Sequence, residues 1–430
     1  MTTIKNCRLA AGNVTDIQIE QGVIVKIGRP LSGGDEIDTR HGTVLPGVID
    51  AHVHFREPGG EHKEDWATGS AAAASGGVTT VLDMPNTNPP TVDEPSLAIK
   101  RERAQQSLVN YGFFLGATTK NSEAIKTVRD VAGVKIYVGS STGNLLVSED
   151  DDIEKLFAIP SIQWVIHAED ESRIRENSRQ IGRSEDPAAH SQIRDPQTAV
   201  EAVRRVIALA RKTNARIHIC HVSTKEELSF IDAARHEGVA ITCEVSPHHL
   251  FLNEAAYRMQ FTFVKVNPPI RTAEDNAALI QGLAAGTIDI VATDHAPHTR
   301  EEKNQHPIDA PSGMPEVETS LPLLLNLVNH GGLTLERLQQ ITAERPAELF
   351  RLRGKGRIAV GYDADITVVD MQKKQRVSKN MIRSKCGWSP YEGQMLTGWP
   401  VMTMVNGNVV YSNGTLNDRF KGKEVMYGKV

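Results

Sequence analysis

Two histidines and an arginine stand two residues apart at the end of an apolar run, in VIDAHVHFREPGG (residues 48–60). Side chains alternate between the two faces of a strand, so His52, His54 and, if the strand persists, Arg56 would share one face. Two imidazoles on one face can hold a metal ion, and a fixed guanidinium can hold a carboxylate. The alternative is a pair of core histidines satisfied by hydrogen bonds, so this segment alone leaves metal binding open.

Further candidate ligands lie in other apolar runs. They are Lys135 in GVKIYVGSSTGN, His167 in WVIHAED, His221 in RIHICHVST and Asp294 in IVATDHAPHT. With His52 and His54, nitrogen or carboxylate ligands from four separate runs would meet at one rim, and a fifth run would bring the lysine. Random placement would scatter histidines over helices and loops as well, so the pattern predicts a metal centre.

The remaining histidines have simpler interpretations. His218 precedes His221 by three residues, faces the other side of the strand and is expected in the core. His248 and His249 are left open between cavity and packing positions. The pattern places the others on the surface: His62, His190, His236, His306 and His330.

Lys135 is the hardest of these residues to explain from first principles. An ammonium group repels a cation, so lysine is a poor direct metal ligand. A neutral lysine amine can react with carbon dioxide to give a carbamate, which is an anionic bridging ligand. A lysine that reaches solvent, or one that binds substrate directly, remains an alternative.

The elements that must position these residues are strands that alternate with helices. Helical stretches such as DWATGSAAAAS and PQTAVEAVRRVIALARK lie between most of the strands, and the second opens with Asp195 as N-cap and Pro196 at the first helical position. This alternation predicts an α/β fold with a TIM-like (β/α)8 barrel, whose active site lies at the carboxyl ends of the strands. The eight strand-like runs are 48–54, 79–84, 111–117, 134–138, 163–168, 216–222, 240–246 and 288–294.

Both ends of the chain contain short strands and turn residues in place of long helical periods. Asn406-Gly407 is a hairpin signal in the second of them. We therefore predict a small β-sandwich domain built from residues 1–45 and 351–430 around a barrel over 46–350. The polar, proline-rich loop 299–313 is expected to cover a site.

Composition excludes several classes of function. The 430 residues carry a net charge of −5, which suggests no polyanionic partner such as nucleic acid, and no apolar run reaches membrane-spanning length. The N-terminus lacks the apolar core of a signal peptide, and the four scattered cysteines form no CxxC pair. A reduced, cytoplasmic protein is the expectation.

The motifs together resemble one family. HVHFREPG, KEDWATGSAAAASGGVTTVLDMPNTNP, HAED, HVS, VNPPIR, TDHAPH and GYDADITVVD occur in the order found in dihydroorotases of the amidohydrolase superfamily. The likeness covers nearly the whole chain, and the motifs are highly specific jointly, whereas GYDADITVVD alone marks only the terminal β domain of the superfamily.

The resemblance implies a centre with two zinc ions. His52, His54 and Asp294 would bind the more buried ion and His167 and His221 the more exposed one. Lys135, carboxylated on its side-chain nitrogen, would bridge both ions together with a hydroxide. Many bacterial relatives carry an aspartate at this position, and the KIYV segment departs from them toward the hydantoinase-like branch.

Substrate contacts follow from the same resemblance. Arg56, Asn86 and His298 would hold the ring carboxylate, and His54 would also touch the substrate. Asn267 and the backbone at Ser312-Gly313 would meet the pyrimidine edge. Many relatives have an aromatic residue where Ser312 stands.

The implied activity is the zinc-dependent, reversible cyclisation of N-carbamoyl-L-aspartate to L-dihydroorotate in pyrimidine synthesis, with Asp294 as the proton shuttle. A homodimer or larger homo-oligomer that acts on a small molecule is expected. Allantoinase, dihydropyrimidinase and hydantoinase are the nearest alternatives, although Arg56 with MPNT and HAPH argues against them. A non-catalytic scaffold is disfavoured, because all six candidate ligands are present.

Overall fold

The computed structural model describes residues 1–40, 42–141 and 143–428, and its strands form two sheets. The strands are β1 (Thr2–Leu9), β2 (Val14–Glu20), β3 (Val23–Gly28), β4 (Asp35–Asp38), β5 (Thr43–Pro46), β6 (Val48–Val53), β7 (Val78–Asp83), β8 (Asn110–Gly116), β9 (Gly133–Tyr137), β10 (Gln163–His167), β11 (Arg216–Ile219), β12 (Ile241–Val245), β13 (Ile290–Val291), β14 (Ile366–Arg376), β15 (Met395–Val405), β16 (Asn408–Ser412) and β17 (Thr415–Leu416).

Helices occupy most of the connections between the barrel strands. They are α1 (Trp66–Ser75), α2 (Glu94–Ala104), α3 (Ser122–Thr127), α4 (Asp150–Phe157), α5 (Glu171–Ile181), α6 (Ala189–Ile193), α7 (Pro196–Thr213), α8 (Lys225–His236), α9 (Pro247–Phe251), α10 (Ala256–Gln260), α11 (Ala273–Ala285), α12 (Arg300–Lys303), α13 (Ser320–Asn329), α14 (Leu335–Gln339) and α15 (Arg345–Leu349). Short 3₁₀ turns occur at Phe261–Val264 and Lys379–Met381, and a π-helical turn occurs at Gln340–Glu344.

Strands β6 to β13 form a parallel sheet in which each strand pairs with the next along the chain. A parallel bridge from Val53 to His295, just beyond β13, joins the two edges and closes the barrel. Every residue of β6 and β7 is buried, as expected for barrel strands that are covered on both faces. The predicted barrel is confirmed, and each of the eight apolar runs overlaps one of its strands.

Local sequence signals set the ends of the two helices that were predicted. The Asp65 side chain accepts a hydrogen bond from the Thr68 amide at the start of α1, and Asp195 accepts one from Thr198 at the start of α7. Helix α7 ends at Asn214, whose left-handed backbone (φ 56°) stops the helix. Within the described part of the chain, no helix is both long and apolar enough to cross a membrane.

The second sheet joins the two ends of the chain. Its strand order is β17-β16-β15-β14-β5-β1-β2-β3, with β4 beside β1, and β5 pairs antiparallel with β14. The sheet has its own apolar cluster, which includes Ile4, Ile17, Val44 and Val368. Asn406 and Gly407 form the predicted turn between β15 and β16. The division at residues 45 and 350 remains our proposal for the domain boundaries.

Two C-terminal segments also pack on the barrel. Trp388 and Tyr391 are buried in a cluster with Met314, near the rim where the strands end, and the Trp388 indole donates to the His298 carbonyl (2.8 Å). Glu424 forms a bridge with Tyr111 of β8. The tail therefore supports the wall of the barrel as well as the terminal sheet.

Candidate metal centre and active site

The candidate residues meet at one cavity at the carboxyl ends of the barrel strands. All of the residues predicted for the site line this cavity, except His298, which lies behind Arg56. They come from separate strands and the loops after them: His52, His54, Arg56, Asn86, Lys135, His167, His221, Asn267, Asp294, Ser312 and Gly313.

Three of these residues form a compact donor set. His52 Nε2 and His54 Nε2 lie 3.3 and 3.0 Å from Asp294 Oδ1, and this trio could hold a metal ion. His52 Nδ1 contacts Glu244, and His54 Nδ1 lies 2.6 Å from Asn86 Oδ1. These acceptors keep the ring protons on Nδ1, so the bare Nε2 atoms are turned toward Asp294. Histidines that bind a metal usually donate their other ring N–H to an acceptor in this way.

His167 and His221 form a second donor set beside the first. Their Nδ1 and Nε2 atoms lie 3.1 Å apart, close to the spacing of about 3.3 Å between two nitrogens on one tetrahedral zinc ion. Burial lowers the pKa of both histidines, so both rings are neutral near pH 7. A neutral imidazole is the form that binds metal.

Charge is unevenly distributed over this cluster. Burial lowers the pKa of His54 to about 3. Burial opposes ionisation of Asp294, but the neighbouring His52 and His54 outweigh this and hold the pKa of Asp294 well below its usual range. The site therefore offers neutral nitrogens and one carboxylate, which suits a cation.

Lys135 lies at the floor of the cavity and is only 1% exposed. Its Nζ is 2.9 Å from Cys220 Sγ and 5.2 Å from the centre of the Tyr137 ring. It forms no ion pair with any residue that the structure describes. A buried nitrogen without a carboxylate partner is an unusual structural lysine.

Arg56 provides positive charge on the opposite wall. Its Nε donates to the Pro297 carbonyl (3.2 Å), and its Nη2 lies 3.2 Å from His298 Nε2. The guanidinium is buried and forms no ion pair within the described part of the chain. Since a buried, unpaired charge is costly, this wall fits an anionic ligand.

Three site residues have left-handed backbone without being glycine. Their φ values are 64° for Arg56, 36° for His221 and 50° for Asp294. Such conformations cost about 1–3 kcal/mol each and cluster at functional positions. Each of these residues lies just beyond a barrel strand, where the strain turns its side chain into the cavity.

Known proteins resemble the chain over its whole length. The model of the amidohydrolase family matches residues 43–410. A dihydroorotase of Halobacterium salinarum is 41% identical over 99% of this chain and 100% of its own, and one of Methanothermobacter thermautotrophicus is 38% identical over 96% and 94%. The chain belongs to the amidohydrolase family and, within it, to the dihydroorotases. It is therefore a cyclic amide hydrolase.

Solved structures of other amidohydrolases share the fold. An L-hydantoinase from Arthrobacter aurescens superposes with a TM-score of 0.94 at 31% identity and covers 99% of both chains. A dihydropyrimidinase from Brevibacillus agri gives 0.92 at 25% identity over 99% of this chain and 98% of its own. Amidohydrolases are generally metal-dependent, and the two donor sets of this one fit that property.

The loop 299–313 supplies part of the cavity wall in this amidohydrolase. Lys303 is fully buried, and its Nζ donates to the carbonyls of Lys265, Pro311 and Gly313 at 2.9–3.1 Å. Gly313 has φ +136°, and a Cβ there would meet the Ala296 carbonyl oxygen at 2.4 Å. Only glycine fits this position, so the backbone itself faces the cavity.

Sequence reasoning missed two residues of the amidohydrolase site. Glu244 is buried in β12 and accepts hydrogen bonds from His52, His218 and the His221 amide. Tyr137 lines the cavity, and its hydroxyl has no partner among the described residues. A glutamate inside the apolar run ITCEV was the signal that could have identified Glu244.

The other histidines were interpreted with mixed success. His218 is buried as predicted, and His248 and His249 pack away from the cavity against Glu316 and the Pro268 carbonyl. His190 was predicted on the surface but is half-buried. Its Nε2 bonds to the Val266 carbonyl and to Asn267 Oδ1, because α6 folds back over the rim.

Proposed function

We propose that this enzyme interconverts L-dihydroorotate and N-carbamoyl-L-aspartate, a step of pyrimidine synthesis. The observation that carries the proposal is the buried, unpaired Arg56 guanidinium beside the two donor sets. Dihydroorotate has a carboxylate on its ring, whereas hydantoin is neutral and would leave this charge without a partner. His298, 3.2 Å from Arg56, would join it in holding that carboxylate, as would Asn86, which also orients His54.

The donor atoms fit two zinc ions. His52, His54 and Asp294 would hold one ion, and His167 and His221 would hold the other. In the proposal, Lys135 would be a ligand to both ions as a carbamate, formed when its amine nitrogen bonds the carbon of carbon dioxide and loses a proton. Imidazoles bind metal in their neutral form, so four of them with one carboxylate would leave most of the charge of two divalent cations uncompensated, and a carbamate would supply a second negative group.

Two divalent cations in this site would acidify a water molecule and polarise the ring carbonyl. In hydrolysis the water oxygen adds to the carbonyl carbon and the ring C–N bond breaks. Asp294 moves the proton from the water to the departing nitrogen, a role that suits a carboxylate in the centre of the donor set. The Tyr137 hydroxyl is available to donate to the oxygen that gains negative charge.

Substrate orientation follows from the opposite wall. His54 and Arg56 would contact the carboxylate side of the ring, and Asn267 with the Ser312–Gly313 backbone would contact its amide edge. Assembly as a homodimer or larger homo-oligomer remains a prediction. Light scattering of the protein during size-exclusion chromatography would check it.

The experiment that tests the function combines zinc analysis with an ultraviolet assay. Dihydroorotate, hydantoin and allantoin are offered singly and as competitors. We expect two zinc ions per chain and a preference of at least about 100-fold in kcat/KM for dihydroorotate, since loss of a buried charge partner is worth several kcal/mol. A preference for hydantoin would contradict the proposal and favour the activity named for the solved relatives.

A further inference from the structure

His190 lies outside the donor sets and reaches the cavity through one neighbour. Its Nε2 is 3.0 Å from the Val266 carbonyl oxygen and 2.9 Å from Asn267 Oδ1. Asn267 lines the cavity directly, whereas His190 does not. The ring therefore supports the residue that faces the substrate.

The hydrogen-bond pattern determines which ring nitrogen of His190 carries the proton. A backbone carbonyl can only accept, so the Nε2 atom beside Val266 must be the donor. Burial, together with the nearby Arg194, lowers the pKa of His190 to about 3, so the neutral ring has only this one proton. The side-chain atom of Asn267 that meets the same N–H must then be its oxygen.

The amide orientation of Asn267 follows from this constraint. With Oδ1 turned to His190, the Nδ2 group is the polar atom left for a ligand, and it contacts no acceptor among the described residues. Asn267 thus presents two N–H donors at its wall of the cavity. Carbonyl and N–H groups alternate along the ring edge of dihydroorotate. If the Asn267 amide were reversed, its oxygen would face a ring carbonyl and its NH₂ group would face a ring N–H, so neither could form a hydrogen bond.

Helix α6 holds His190 in place independently of the cavity. Ser191 Oγ lies 3.1 Å from the Tyr257 hydroxyl and 3.4 Å from the Ile270 carbonyl, in the same segment that carries Asn267. Arg194, just after α6, forms a buried ion pair with Glu169. The imidazole is therefore fixed by contacts that do not involve substrate.

We propose that His190 is a positioning residue that orients the Asn267 amide, so that its NH₂ group binds a carbonyl oxygen on the substrate ring. This inference rests on the proposed function, because the ring of dihydroorotate supplies the carbonyl. It assigns a specificity role to a histidine that touches no substrate itself.

The test is a double-mutant cycle with kcat and KM for dihydroorotate as readouts. Loss of the oriented donor in His190→Leu should raise KM about tenfold, with kcat within about threefold and zinc content unchanged, because the donor sets are intact. Repeating His190→Leu in the Asn267→Ala background should add less than about twofold, since residues that act through one contact are not additive. Fully additive effects would overturn the proposal.

Two further variants keep the test decisive. His190→Gln retains an amide donor and should restore KM to within about threefold of the wild type. Asn267→Asp keeps size and shape but presents an acceptor, so it should raise KM at least about tenfold. An unchanged KM in Asn267→Asp would mean that an oxygen faces the substrate, and this result holds even if His190→Leu fails to fold.

Ser191→Ala is the matched control, since it removes a hydrogen bond from the same helix to the same segment. It should lower the melting temperature without raising KM. If Ser191→Ala raises KM as much as His190→Leu, the role of His190 is merely structural and the proposal fails. Failure of the proposed function is distinguishable, because the wild type would then not turn over dihydroorotate at all.

Discussion

The donor sets and the substrate wall of this cavity are built in different ways. The metal-facing side chains stand on barrel strands or within three residues of them, where the backbone ladder sets their positions. The wall is built from loops held by side chains that bond to backbone carbonyls, as Lys303 does at Gly313 and His190 at Val266. The positions of the metal-facing side chains thus depend on the barrel itself. The positions of the residues that would recognise the substrate depend on individual polar contacts, which substitutions can remove.

A buried ion pair links the two parts. Asp83, the last residue of β7, pairs with Lys100 (2.6 Å), and its other oxygen accepts from the Phe55 amide between His54 and Arg56. The Asp83 carboxylate therefore holds the backbone between His54, which belongs to a donor set, and Arg56, which belongs to the substrate wall. Substitutions on either side of this point should have separable effects, and the following predictions test that separation.

The largest effect is expected at Asp294. Asp294→Asn should lower kcat at least about 10³-fold in both directions, because an amide cannot carry the proton between water and nitrogen. Steady-state assays from dihydroorotate and from N-carbamoyl-L-aspartate measure this loss, with zinc content recorded in parallel. Activity within tenfold of the wild type would exclude Asp294 as the shuttle.

Lys135→Ala should remove at least one zinc ion and lower kcat about 10²–10³-fold, since loss of a metal costs several kcal/mol of transition-state stabilisation. Short carboxylic acids such as acetate should partly restore both, because they can take the place of the carbamate. Full zinc occupancy in the variant would refute a bridging role for this lysine. Elemental analysis with and without acetate provides the measurement.

Arg56→Ala should act on the wall alone. We expect kcat/KM for dihydroorotate to fall about 10²-fold while zinc content stays at the wild-type value, because the lost partner is a substrate charge. Relative turnover of hydantoin should rise, since the unpaired cation no longer opposes a neutral ring. Unchanged kinetics with dihydroorotate would remove the carboxylate-binding role.

A smaller effect is expected from the acid sensitivity of the wall. Burial lowers the pKa of His190 and of His298 to about 3, against about 6.5 in an unfolded chain. Between these two values the unfolded chain binds protons that the folded chain excludes. The free energy of unfolding is therefore highest above pH 6.5 and decreases as the pH falls toward 3. For each histidine, the free energy of unfolding decreases by at most about 1.4 kcal/mol per pH unit.

Urea unfolding at pH 7 and pH 5, for the wild type and for His190→Gln, measures this linkage. The free energy of unfolding of the variant should decrease less between pH 7 and pH 5 than that of the wild type, because one titrating group is gone. Equal losses would show that His190 does not exclude a proton when folded.

The donor sets were predictable from sequence for a physical reason. Parallel strands of a barrel end at one rim, so His52, His167 and His221 had to come together once the strands were recognised. His190 and Lys303 could not be predicted in this way. Both lie in polar surroundings that are typical of surface loops, and their burial depends on how α6 and the loop 299–313 fold over the barrel.

Glu244 is an intermediate case. A charged residue in the middle of an apolar strand must find partners, and two of its partners, His52 and His221, were already chosen as ligands. What sequence could not supply was the pairing itself, because β6 and β12 are far apart in the chain and come close only when the barrel closes, with β13 between them.

The contact between β5 and β14 has a consequence for how the protein is made. Thr43–Pro46 leave the ribosome early, yet their partners Ile366–Val369 follow more than three hundred residues later. At about 5–20 residues per second, this edge of the nascent sheet stays uncovered for roughly 15–65 seconds. During that interval the unpaired edge is open to association with other chains, which a chaperone would prevent.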